Sequence, residues 1–361
     1  MSPATTELEL GCHSCHSTQR NDRKRVLFGL VNRLQEQVMR AHELVPGGIR
    51  HLHGPPGVDY AMDECIVLCI GRDAELWIKS FIEHHLTLGA RHIIYLDNGS
   101  RDDTVALASQ YDRVTVYGTN APFGHLEVGM RRWLTRTFAR NRWSIYCDVD
   151  ELFDYPYSDR LSLAGLLHYC SAHGYQAVTG QMLDLFSDRP FSELHSAPDD
   201  SLREKYRWFD LTDLVPTRDV YWIRRGQLDS PDIVCNFGGI RKRFFGDDCL
   251  LLTKHPLVFA DDSVGLYTYD GHFMTGARVA DISTVLLHYK YVDSLPERAR
   301  NSVEWVNAEL YRGLSDVLGA APDLCLRLET ARELRDVQEL VELGFLEVTD
   351  RYVRWVEEHG R

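Results

Sequence analysis

The sequence predicts an α/β protein built on a mainly parallel sheet with helices on both faces. Two observations carry that expectation. Short apolar runs at 65–70, 92–96, 114–117 and the stretch leading into Asp148 alternate with helical apolar spacing at 74–88, 102–111 and 126–139. Acidic turns, Asp97-Asn98-Gly99-Ser100 and Asp148-Val149-Asp150-Glu151, follow directly on two of those strands. Strands alternating with helices are βαβ units, and right-handed crossovers gather the strand C-termini along one edge, where such sheets bind ligands.

Bulk properties narrow the class. At 361 residues the chain can form one large domain or two small ones, and a hydrophobic share of 44% suits a globular protein. A formal charge of −13 argues against a nucleic-acid binder, while leaving room for a local basic pocket. No stretch reaches the roughly 20 apolar residues of a transmembrane helix, and the first twenty residues lack the apolar core of a secretory signal. Nine scattered cysteines suit a reducing compartment. The expected location is cytoplasmic, with peripheral attachment to a membrane left open.

In chain order, residues 1–20 read as a flexible leader. It contains Cys12-His13-Ser14-Cys15-His16, a formal match to the haem attachment pattern. Haem attachment needs export, and zinc needs a second ligand pair, so unremarkable thiols are the simpler reading. Residues 21–60 hold an amphipathic helix over 21–45 and a glycine- and proline-rich linker. The main domain is expected over 61–292. After the fourth strand come a helix at 161–173, a strand at 177–183 and an irregular excursion over 187–232 whose Trp208 and Trp222 could stack on a sugar. Further strands follow at 251–258 and 283–290. The C-terminal extension, 293–361, reads as helices at 297–314, 323–343 and 350–359.

The stretch around Asp148 is the chemical focus. Alternation along an extended chain puts Asp148 and Asp150 on one side. Two carboxylates that close need a cation between them, and Mg²⁺ or Mn²⁺ takes oxygen ligands and phosphate oxygens alike. The rival reading is a solvated acidic turn. Gly238-Gly239-Ile240-Arg241-Lys242-Arg243 places three cations after a glycine turn, so Arg241 and Arg243 are candidates for a pyrophosphate.

Taken in order, these motifs resemble the glycosyltransferase family 2 superfamily with the GT-A fold, in the branch carrying Asp-Asn-x-Ser-x-Asp-x-Thr. The residues concerned are Asp97 to Thr104, Asp148 to Phe153, Gly238 to Arg243 and Leu286-Leu287-His288-Tyr289-Lys290. Trp77, Glu83-His84-His85 and Leu88-Gly89-Ala90 of the first helix agree as well. The resemblance spans about 64–291.

The resemblance implies a nucleotide-sugar donor, UDP- or GDP-linked, and Mn²⁺ or Mg²⁺. Asp97 would hold the base or ribose, Asp148 would lie by ribose and metal, and Asp150 would ligate the ion. His288 or His272 would add a nitrogen ligand. Where the family usually shows Asn-Glu, this chain has Asp73-Ala74-Glu75, which makes Asp73 the donor-side candidate there. Inverting transfer needs a carboxylate base for the acceptor hydroxyl. Asp184, after the strand at 177–183, and Asp248 or its neighbour Asp247 are the candidates.

Rival folds fit less well. A haloacid-dehalogenase-type phosphatase would place Thr or Val where Leu152 stands, and an EF-hand loop would need a ligand there and a glycine at Phe153. A nucleotidyltransferase would want a glycine-rich loop in place of Ile70-Gly71-Arg72-Asp73-Ala74. The expected function is metal-dependent transfer of a sugar from a nucleotide donor to a glycan, peptide or small-molecule acceptor, with inversion. The alternative is an inactive nucleotide- or carbohydrate-binding module.

Overall fold

The computed structural model describes residues 48–218, 234–246, 250–267, 272–301 and 308–360, with Leu34, Gln37 and Val38 of the N-terminal segment. The strands are β1 (Ile49–His53), β2 (Cys65–Gly71), β3 (His92–Asp97), β4 (Val114–Thr119), β5 (Trp143–Tyr146), β6 (Glu151–Asp154), β7 (Ala177–Asp184), β8 (Trp208–Phe209), β9 (Leu214–Thr217), β10 (Cys235–Gly238), β11 (Thr253–Phe259), β12 (Val279–His288) and β13 (Arg332–Glu333). The helices are α1 (Glu75–Leu88), α2 (Thr104–Ala108), α3 (Phe123–Phe138), α4 (Leu163–Ala172), α5 (Leu202–Lys205), α6 (Ile240–Phe245), α7 (Leu295–Asn301), α8 (Ala308–Ala320), α9 (Val337–Glu342) and α10 (Asp350–His359).

Among the described residues, nine strands form one sheet in the order β1-β4-β3-β2-β5-β11-β7-β12-β6. β4, β3, β2 and β5 pair in parallel, β7 pairs in parallel with β12, and β11 runs antiparallel between β5 and β7. β1 and β6 are antiparallel edge strands. Six strands therefore point one way and three the other. This is the expected α/β class, with a large, mainly parallel sheet flanked by helices.

β2 explains why its apolar run is unbroken. Cys65, Val67 and Cys69 belong to one core with Trp77, Ile78, Phe81 and Ile82 of α1, while Ile66, Leu68 and Ile70 belong to the other with Met130, Trp133 and Leu134 of α3. A strand covered on both faces has no polar side to show. The first core extends into the C-terminal segment, taking in Leu340, Phe345, Tyr352 and Val356.

The first helix also guards an edge. β6 ends the sheet, and its outward Phe153 carbonyl lies 2.6 Å from His84 Nε2, while its Phe153 N–H donates to His85 Nε2 at 3.2 Å. His85 Nδ1 contacts the Phe81 carbonyl at 2.8 Å, so this imidazole donates at Nδ1 and accepts at Nε2. At Phe153 the outward backbone groups of this edge strand are thus taken by α1 and not offered to another strand.

Three expectations change. The extended chain through Asp148 and Asp150 is a turn, with Glu151 N–H donating to the Asp148 carbonyl at 2.9 Å. It carries the chain from β5 to β6, with β11, β7 and β12 lying between them in the sheet. The helix expected over 323–343 survives only as α9. Its first half is extended because β13 pairs with β8 and Leu334 N–H donates to the Arg207 carbonyl at 2.8 Å. Asp336 then starts α9 by accepting from Glu339 N–H at 2.9 Å. The expected helix at 297–314 is α7 and the start of α8, with 302–307 outside the described residues. The leader and most of the 21–45 helix also lie outside them, though Leu34, Gln37 and Val38 are helical. No helix among the described residues is long and apolar enough to cross a membrane.

Candidate functional site

The C-terminal ends of β2, β3 and β5 lie side by side. β3 and β5 flank β2, so Asp97 and the Asp148 turn sit on one edge, two strand spacings or roughly 10 Å apart in the sheet. The loop from Asp97 to Thr104 uses most of its polar groups on the protein itself. Asp97 accepts from Gly99 N–H and Ser100 N–H, each at 3.1 Å to Oδ2, and from the Ser100 hydroxyl. Ser100 Oγ accepts from Asp73 N–H at 2.9 Å, Thr104 Oγ1 from Ala74 N–H at 2.7 Å and Asp102 from Glu75 N–H at 3.1 Å. The Ala74 and Glu75 N–H groups are orphan donors at the start of α1, and the Asp73 N–H lies just before it. Asp73 returns a bond, accepting from Arg101 N–H at 2.7 Å, with its own backbone at a positive φ of 49°. Asn98 reaches the next loop, donating to the Ala121 carbonyl at 2.8 Å. The Asp-Asn-x-Ser-x-Asp-x-Thr element is thus a clasp that holds three strand-to-helix loops in register.

The turn after β5 is balanced from afar. Asp148 Oδ1 lies 3.2 Å from an Arg131 guanidinium nitrogen on α3, and its Oδ2 lies 3.2 Å from Lys254 Nζ on β11. Lys254 Nζ also donates to Glu151 at 2.6 Å, and Arg131 to Glu127 at 2.6 Å. Burial alone would push the Asp148 carboxyl up, but Lys254 and Arg131 outweigh it and hold the group well below the usual carboxylate range. Glu151, 1% exposed, goes the other way: burial raises it despite Lys254. His272 is kept neutral by burial and by the same two cations.

Asp150 faces a different partner. Its Oδ2 lies 3.6 Å from His288 Nε2 at the end of β12, and Tyr289 N–H donates to its carbonyl at 2.8 Å. Burial works to raise the Asp150 carboxyl, and His288 more than offsets it, so the shift is downward. For His288 burial pulls down, but Asp150 and Asp184 together raise the imidazole above its ordinary value. Lys290 sits close by, lowered to about 8 by burial and by Arg241.

The remaining expected residues separate. Asp184, a candidate base, has both oxygens occupied. Arg241 grips it through Nε at 2.7 Å and a terminal nitrogen at 2.8 Å, and His288 Nδ1 lies 2.5 Å away. The Arg241 guanidinium is therefore committed inside the protein, 6% exposed, where a diphosphate contact was expected. Arg243 is exposed, 3.8 Å from Asp213. Asp247 and Asp248 lie outside the described residues, as does Trp222. Trp208 is stacked under Arg327, whose guanidinium carbon is 4.1 Å from the ring centroid. Sequence reasoning missed Arg131 and Lys254, and it gave Glu151, though part of the acidic turn, no role of its own. A signal existed for one of them: a lysine inside the apolar run at 251–258 must meet a carboxylate if that strand is buried.

Among the described residues no three side chains of His, Cys, Asp and Glu converge as a ready metal-ligand group. The Asp150–His288 pair nevertheless fits a divalent ion. Two ligands each about 2.1 Å from a shared ion stand roughly 3–4 Å apart, which matches the 3.6 Å between Oδ2 and Nε2. Asp148, a third exposed at its side chain, is next to this pair but turned toward its two cations.

No protein-family model and no curated protein sequence matches the chain. Among solved structures it is similar to glucosyl-3-phosphoglycerate synthase from Mycobacterium tuberculosis, crystallised with Mn²⁺, UDP and glucosyl-3-phosphoglycerate. The identity is 16% and the TM-score 0.23, over 37% of this chain. The chain spans about half the length of that protein, 52%.

Proposed function

We propose that this protein is a metal-dependent glycosyltransferase that moves a sugar from a nucleotide donor to a hydroxyl-bearing acceptor, with inversion. The observation that carries the reading is the pairing of Asp150 with His288 across 3.6 Å, at the sheet edge where parallel α/β sheets bind ligands. Asp150 and His288 would hold Mn²⁺ or Mg²⁺, with Asp148 adjoining, and the bound ion would stabilise the charge that builds on the departing nucleoside diphosphate. The chain's own residues do the rest. Arg131 and Lys254 keep Asp148 ionised and fixed, so their charge offsets the repulsion between Asp148 and Asp150. The clasped loop at Asp97 presents a rigid rim two strands away for the nucleoside, with Asp73 on the same rim. Asp184 does not suit the role of base, because its oxygens already serve Arg241 and His288.

Calorimetric titration with UDP and with GDP, with and without Mn²⁺, tests this directly. Nucleoside diphosphate binding that requires the metal is the expected result. Binding that ignores the metal removes the metal role, and binding without transfer from any donor makes the protein a nucleotide-binding module.

A further inference from the structure

Behind His288 lie two buried residues that the transfer itself does not use, Asp184 and Arg241, and their geometry is specific. β7 and β12 pair in parallel with His288 in register with Asp184, so the two side chains leave the sheet side by side. Arg241 comes from a third element. Gly238 and Gly239, at φ 77° and 65°, turn the chain from β10 into α6 in a conformation that favours glycine, and a Cβ at Gly238 would come within 2.6 Å of the Asp213 carbonyl. That turn delivers Arg241 to Asp184, and the guanidinium locks both carboxylate oxygens in a bidentate grip. His288 Nδ1 lies 2.5 Å from Asp184 Oδ1 and 3.1 Å from a terminal Arg241 nitrogen. A bare Nδ1 at the shorter distance would set its lone pair against a carboxylate, so Nδ1 carries the proton and Nε2 is left as the lone-pair nitrogen facing Asp150.

We infer that Asp184 and Arg241 are positioning residues that fix the tautomer and orientation of His288, and so set the protein's affinity for a divalent cation. The inference rests on the proposed ligand role of Asp150 and His288. A carboxylate holding the far nitrogen of a ligating histidine raises its basicity and fixes its ring, and loss of such a partner typically weakens metal binding about 10- to 100-fold. Asp184→Asn is the informative change. Its amide nitrogen must face either Arg241 Nε, where two donors collide, or His288 Nδ1, where it donates and drives the proton to Nε2. In the first orientation the remaining carbonyl oxygen still accepts from Nδ1–H but without the carboxylate's charge, and in the second the lone pair leaves Nε2, so the lone pair facing Asp150 is weakened or lost. A buried ion pair of purely structural value would lower stability on mutation but would leave the imidazole tautomer of a folded variant alone.

The test is Mn²⁺ titration of the full chain, followed by the electron paramagnetic resonance signal of free Mn²⁺, together with ¹⁵N NMR of His288 above its titration range. The wild type is expected as the Nδ1–H tautomer. Asp184→Asn, and Arg241→Lys as a second variant that keeps the charge but loses the fork, are expected to weaken Mn²⁺ binding about 10- to 100-fold and about 10-fold. Wild-type affinity in a folded Asp184→Asn protein overturns the inference, and so does an Nε2–H tautomer in the wild type. A wild type that binds no Mn²⁺ refutes the metal reading instead, and the tautomer spectra then decide the positioning role by themselves.

Discussion

The loop after β3 and the turn after β5 both bring carboxylates to the same edge of the sheet, yet they neutralise them differently. The Asp97 loop is satisfied locally: its own N–H groups, its serine and the first turn of α1 absorb Asp97, Ser100, Asp102 and Thr104. The Asp148 turn is satisfied by residues far along the chain, Arg131 on α3, Lys254 on β11 and His288 on β12. A locally closed loop can be built stiffly with few long-range demands. A turn whose charges depend on three other elements exists only once the whole sheet is assembled, and it keeps one carboxylate, Asp150, facing a neutralisable imidazole instead of a permanent cation. That asymmetry within Asp148-Val149-Asp150 separates a charge that is structural from one that is open to exchange.

The largest expected effect breaks the second region at its exchangeable end. Asp150→Asn should lower transfer by about 10²- to 10³-fold, the scale of losing one preorganised electrostatic contact, while thermal unfolding stays near the wild type. Near-normal transfer with any active donor would remove Asp150 from the chemistry. Next in size is the structural end. Lys254 is 3% exposed between Asp148 and Glu151, so Lys254→Met leaves the buried Glu151 carboxylate without its cation, Asp148 keeping Arg131, and should cost about 3–5 kcal/mol in urea unfolding. A loss below about 1 kcal/mol would mean that the turn can swing its charges into water.

How far the sequence reveals these two regions follows from the same contrast. The alternation of strands and helices from Cys65 to Tyr146 is legible because each element carries its own period and the loops between are short. The Asp97 clasp is legible as a motif for a related reason: all its partners lie within about thirty positions. The antiparallel β11 between β5 and β7 is not legible, because nothing in 253–259 says which strands it will join. Hence Lys254 reads as an oddity in an apolar run when it is the counter-ion of a turn 106 positions earlier. Asp184 misleads for the opposite reason. Its place after a strand marks it as an edge carboxylate, and only the three-dimensional approach of Arg241 shows its oxygens to be taken.

Smaller changes sharpen the local side of the comparison. Ser100→Ala removes a hydroxyl that both bonds Asp97 and accepts from Asp73 N–H, and should cost about 1 kcal/mol in chemical unfolding, the usual value of a lost helix cap. A loss several times larger would show that the clasp carries the whole edge.

The smallest effect concerns the α1 lock on the β6 edge, read through pH. His84 is lowered from 6.5 to about 4, mainly by burial and then by Arg203. His85 beside it is also held well below its ordinary value by burial. An imidazole whose folded pKa lies below its unfolded value takes up its proton more readily in the unfolded chain. Its neutral-state stability is therefore fully present above about pH 6.5 and is lost as pH falls toward about 4. The melting temperature should accordingly fall across that interval. His84→Gln can still donate an amide N–H to the Phe153 carbonyl but cannot be protonated, so it should flatten part of the slope. Only part is expected, because His92, also lowered to about 4, and His255, lowered to about 3, are unchanged in that variant. Identical melting profiles for wild type and His84→Gln between pH 7 and about pH 4 would mean that β6 releases α1 before His84 titrates, making the edge lock the first piece of the fold to open in acid.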